Sequence, residues 1–157
     1  METGVNQLGF ISSYSPIGDD EQRHYSAKPE YYGMLAFSLG GHGDLLPVEV
    51  DANTAAIKAY ATRPKEGAVV LTLINKGGAP SVLHVNTASE GREASVLRLK
   101  GPAVDAKTGI TLGGAEVTSR GTWKPAKREA LAVRKGQLTL PMPAASAALV
   151  TLLPSNS

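Results

Sequence analysis

The chain has 157 residues, 42% hydrophobic and 19% charged, with a net charge of +2 and no cysteine. That balance excludes collagen, coiled coil and full disorder, and a chain of this length buries roughly two-thirds of its unfolded surface, enough for one domain, or one with an appendage, to fold without metal or disulfide. Missing thiols exclude thiolate metal sites and cysteine nucleophiles, no apolar run nears the ~18 residues of a membrane span, and Met1–Asn6 lacks the basic and apolar regions of a signal peptide.

Residues 4–11, Gly-Val-Asn-Gln-Leu-Gly-Phe-Ile, read as a short strand, and Ser12–Asp20 as a loop punctuated by Pro16 and Gly18 and solvated by its acids. Pro29 suits the first turn of a helix, where its missing N–H costs nothing, and Glu30 suits the positive end of the helix dipole. The helix runs through Glu30–Leu39 and stops at Gly40-Gly41-His42-Gly43, with glycine supplying a left-handed cap. Its apolar residues cover nearly every face, which predicts burial on several sides.

From residue 44 the hydrophobic period changes to two. Strands are expected at Leu46–Asp51, Ala55–Arg63, Val69–Ile74, Ser81–Val85, Ser95–Lys100, near Ile110–Leu112, Glu116–Thr118, Leu131–Val133, Gln137–Leu140 and Ala147–Leu153. Val69–Ile74, an almost unbroken run of β-branched residues and leucine, belongs centrally in a sheet. Pro141 and Pro143 should bound strands rather than sit inside one. Many short strands with no helix between them predict a mainly β fold, a sandwich or a barrel, preceded by one α-helix.

Charge and aromatic content divide the chain. Residues 1–66 hold nine acids and five bases, and the remainder eleven bases and five acids. The densest basic stretch, Arg120 to Lys135, has no interleaved aromatics and no nucleic-acid motif, so it reads as solvated loop and strand edge rather than a polyanion site. Six of the eight aromatics (Phe10, Tyr14, Tyr25, Tyr31, Tyr32, Phe37) precede residue 40, and only Tyr60 and Trp123 follow. The first part therefore builds its core from aromatics, and the second from Val, Leu, Ile and Ala.

Motifs that carry chemistry are sparse. The Gly40–Asp44 stretch lacks the Lys-Ser/Thr of a phosphate loop and does not open a helix. His24, His42 and His84 are not at metal-ligand spacing. Asp19-Asp20-Glu21 lies in a polar loop, where adjacent carboxylates are simply solvated. A nucleophile elbow is missing too. Trp123 reads as partly buried core more than as a sugar platform, since such platforms use several coplanar aromatics. No catalytic residue, metal ligand or cofactor is assigned on these grounds.

Some segments nonetheless resemble a known family. Tyr14-Ser15-Pro16-Ile17, then Pro29-Glu30-Tyr31-Tyr32-Gly33-Met34-Leu35-Ala36-Phe37-Ser38-Leu39, then Val96–Pro102, Gly113-Gly114 and Leu140–Ala144 before the last strand, are similar to the C-terminal end of glycoside hydrolase family 79, the β-glucuronidases and heparanases. The resemblance implies a (β/α)8 barrel with an antiparallel β-sandwich beside it. Residues 1–43 would be the last barrel strand, its loop and helix, and residues 44–157 the sandwich. It implies retaining hydrolysis by two glutamates ~5–5.5 Å apart, both on barrel strands earlier than the eighth, so that this chain holds neither.

One family site carries over. Tyr14, with the backbone of Ser12 and Ser13, matches the loop after strand eight that holds the uronate carboxylate. The implied partners are the catalytic barrel of a parent enzyme and a uronate-containing glycan, with self-association through residues 1–40 as a further expectation, and neither nucleic acid nor membrane. The alternative is a stand-alone carbohydrate-binding or interaction sandwich.

Overall fold

The computed structural model describes residues 15–19, 24–51, 56–87 and 92–153. Within them the order is β1 (Ile17–Asp19), β2 (Tyr25–Ala27), α1 (Pro29–Gly40), β3 (Asp44–Leu46), β4 (Ile57–Arg63), β5 (Val70–Asn75), β6 (Ser81–Asn86), β7 (Glu93–Lys100), β8 (Thr111–Leu112), β9 (Glu129–Ala132), β10 (Gln137–Met142) and β11 (Ser146–Leu153). The fold is mainly β, with antiparallel sheets arranged as a sandwich and a single helix ahead of it. The larger sheet has the order β3-β4-β5-β11-β7-β8, with β9 also paired to β7. Strands β6 and β10 make a separate two-stranded sheet, and β1 and β2 a short ladder.

Period-two alternation gives the larger sheet two apolar faces. From one face Ala61, Leu71, Leu73, Val96, Ala148 and Val150 meet Leu138, Leu140 and Met142 of β10, with Leu83 and Val85 of β6 packed alongside. From the other face Leu97, Leu112 and Leu149 meet Tyr32 and Ala36 of α1. The protein thus has three layers: the small sheet, the large sheet, and the helix with the irregular chain around Val117 and Trp123. A two-stranded ribbon is marginal by itself, so β6–β10 depends on the apolar face it covers.

Local chemistry explains the helix. Lys28 has extended backbone, Pro29 opens the first turn, and Glu30 sits at the dipole's positive end. Tyr32, Ala36 and Gly40, four apart, form its buried stripe. At Gly40 an added Cβ would lie 2.8 Å from Leu149 Cδ2 and 3.0 Å from Thr72 Oγ1, so glycine lets the helix end press onto the sheet. The Gly40 carbonyl, left without a partner by the helix end, accepts from Thr62 Oγ1 at 2.6 Å. The Tyr32 hydroxyl accepts from the Val117 N–H at 2.9 Å, and Trp123 Nε1 donates to the Leu112 carbonyl at 3.0 Å. The first bond ties the irregular chain to the helix, and the second ties it to the sheet at β8.

The strand read at residues 4–11 lies outside the described residues. Several other expectations need correction. The Ser12–Asp20 loop gives way to β1 at Ile17–Asp19, paired with β2 through Ile17↔Ala27 and Asp19↔Tyr25. The strand expected at Leu46–Asp51 is instead Asp44–Leu46, and stops at Pro47, which has no N–H for a ladder. Glu116–Thr118 is not a strand, because the Val117 N–H is taken by Tyr32. The left-handed glycine is Gly43 (φ +92), not the helix cap Gly41 (φ −95).

Pro141 lies inside β10, opposite Val82. Its carbonyl accepts from Arg98 Nη1 at 2.7 Å, so its N and C=O point away from β6 and the missing N–H costs that ladder nothing. Helix α1 is buried on the side facing the sheet and open on the other.

Candidate functional site

Tyr14, Ser12 and Ser13, the residues matched to a carboxylate-binding loop, lie outside the described residues. The residue that follows them, Ser15, is buried, and its Oγ donates to the Ile17 carbonyl at 2.7 Å. The Pro16 carbonyl accepts from the Lys28 N–H at 2.9 Å. The chain leaving that loop is thereby fastened to the start of α1.

The described residues offer little for catalysis. No group of three or more His, Asp or Glu side chains among them could hold a metal ion. Glu129 is engaged by Arg98, whose Nε donates to its two oxygens at 3.0 and 2.9 Å. This pair lines a shallow cavity of about 520 Å³ with Lys100, Pro80, Pro141 and Pro143. The Arg98 side chain is only 11% exposed. With its bond to the Pro141 carbonyl it ties the large sheet to the small one at the rim of the core.

A longer crevice of about 900 Å³ lies between β4 and β6, walled by Ile57, Ala59, Leu71, Leu83 and Val85. Glu49 and Asp51 stand beside it on irregular chain, both exposed. His84, on the exposed face of β6, is hydrogen-bonded across the strands to Thr139 Oγ1 at 3.2 Å.

The feature that stands out is an apolar surface on the helix layer. Phe37 is 73% exposed and Met34 49%, both on the side of α1 away from the buried stripe. The register extends this surface onto the sheet. Leu45 pairs with Thr62, and Thr62 and Tyr60, two apart on β4, share the face on which the helix lies. Leu45 is 72% exposed and Tyr60 49%. Full burial of one such side chain is worth ~1.5–3 kcal/mol, so these four leave roughly 5 kcal/mol of burial unused. Large apolar side chains that share one layer can serve as a contact surface, whereas scattered ones, such as Val82 and Val104, need no explanation. The aromatic helix signalled half of this surface in sequence. Period-two alternation alone puts Tyr60 with Lys58 and Thr62 on one face of β4, whereas the facing of Leu45 follows from a strand register set by tertiary pairing.

The profile described as Glycosyl hydrolase family 79 C-terminal beta domain matches residues 58–149. No curated protein matches the sequence. Among solved structures the fold is similar to a 4-O-α-L-rhamnosyl-β-D-glucuronidase from Fusarium oxysporum, with a TM-score of 0.70, 22% identity and coverage of 82% of this chain and 31% of that one. It is also similar to an arabinose-bound GH51 α-L-arabinofuranosidase, with a TM-score of 0.67, 16% identity and coverage of 94% of this chain and 22% of that one. A further arabinofuranosidase has a TM-score of 0.67 and 13% identity, with 91% of this chain and 32% of that one covered. The chain spans about a third or less of the length of these proteins.

Proposed function

Because this chain belongs to glycosyl hydrolase family 79, matching its C-terminal β domain, we propose that it is the non-catalytic flank of a retaining glycoside hydrolase of the β-glucuronidase or heparanase type, seated on the catalytic barrel through its helix layer. The single observation that carries this reading is the uncovered apolar surface of Met34, Phe37, Leu45 and Tyr60. A free-standing domain gains nothing from leaving its helix bare, whereas a domain wedged against another buries both sides of that helix.

On this reading residues 1–43 are the last strand, loop and helix of the barrel, and residues 44–157 the sandwich. Tyr14, with the backbone of Ser12 and Ser13, then reaches the uronate carboxylate at the cleft rim, while both catalytic glutamates lie on barrel strands outside this chain. The bond from the Lys28 N–H to the Pro16 carbonyl supports the placement, since it ties Pro16 to the start of the helix. The alternative, a sandwich that binds glycans through aromatic platforms, has less to use: Trp123 is partly buried against the cluster of Tyr32, Leu112 and Leu149, with its indole N–H committed to the Leu112 carbonyl.

The test is co-expression of this chain with a family 79 barrel lacking its own β domain and its last strand, loop and helix. Pull-down should recover a complex that hydrolyses 4-nitrophenyl β-D-glucuronide, Phe37→Asp should prevent recovery, and the chain alone should show no hydrolysis. Hydrolysis by the purified chain alone, or recovery indifferent to Phe37→Asp and Leu45→Asp together, would overturn the proposal.

A further inference from the structure

We draw no further inference here: the strongest candidate, the apolar crevice between β4 and β6, carries nothing because nothing in the structure shows what covers it.

Discussion

Asn75 offers a sharp test of how the two sheets are held together. It is 1% exposed, the last residue of β5, and its side chain reaches three backbone segments. Nδ2 donates to the carbonyls of Ala79 at 2.9 Å and Pro143 at 3.0 Å, with a longer contact to Met142 at 3.5 Å, while Oδ1 accepts from the Gly77 N–H at 2.9 Å. Replacement by Leu keeps the branched shape, adds bulk in a buried site, and removes every one of these bonds. The Pro143 carbonyl keeps a donor in Ser146 Oγ at 2.8 Å, so the Gly77 N–H and the Ala79 carbonyl carry the loss. Each buried group left unpaired costs ~1–3 kcal/mol. Both sites are part-buried, which brings the expected total to about 3 kcal/mol.

In urea, with an m-value of roughly 2 kcal/mol/M, that loss lowers the midpoint by about 1.5 M, readable in the fluorescence of the lone Trp123. Asn75→Asp adds a pH signature. The introduced carboxyl faces the Ala79 and Pro143 carbonyl oxygens in a buried site, and both burial and those dipoles raise its folded-state pKa above the unfolded ~3.9. The folded state then binds the proton more tightly than the unfolded state. The variant's stability is fully present below the unfolded pKa and is lost as pH rises through the folded one. Its deficit relative to the parent should therefore be larger at pH 7 than at pH 4. A cost under 0.5 kcal/mol for Asn75→Leu, or equal deficits at the two pH values for Asn75→Asp, refutes this account of Asn75 as a satisfied buried staple.

Three glycines should separate by their surroundings in thermal melts. Gly33→Ala meets nothing within 4 Å and should stabilise the helix by about 0.5–1 kcal/mol, Gly40→Ala must displace Leu149 and Thr72 and should cost about 1–3 kcal/mol, and Gly43→Ala, at φ +92 with its Cβ driven into the Arg63 carbonyl, should cost the most. An equal response at all three sites would contradict the packing described. Arg98→Ala strands Glu129 and the Pro141 carbonyl; as the side chains are 11% and 27% exposed, about 2 kcal/mol should be lost. Arg98→Met, which refills the apolar stem but leaves Glu129 and the Pro141 carbonyl unpaired, should lose less than Arg98→Ala yet still a measurable amount in the same urea titration, and a Met variant as stable as the parent would show that packing rather than pairing governs the rim. Phe37→Asp, at a residue 73% exposed, should shift the melting of the chain by no more than about 0.5 kcal/mol while removing barrel recovery; a large loss of stability would show that the ring supports the domain itself.

The sequence by itself determined the fold class, most strands and the family, because these rest on local signals. The near-unbroken apolar run at Val69–Ile74, the alternation at Gln137–Leu140, the Pro29-Glu30 helix start and the glycine-rich stop are readable within a few residues. Tertiary structure decided the cases where a backbone group finds a partner far along the chain. Val117 leaves the strand pattern because Tyr32, 85 positions away, takes its N–H, and Pro141 is tolerated inside β10 because Arg98 of the other sheet holds its outward carbonyl. It also decided which side of the all-apolar helix is covered. Periodicity could not choose between its faces, whereas the match of Tyr32, Ala36 and Gly40 to the floor around Leu97, Leu112 and Leu149 does, leaving Met34 and Phe37 outward. Local chemistry selects the elements, and long-range pairing and shape select the surface on which they meet.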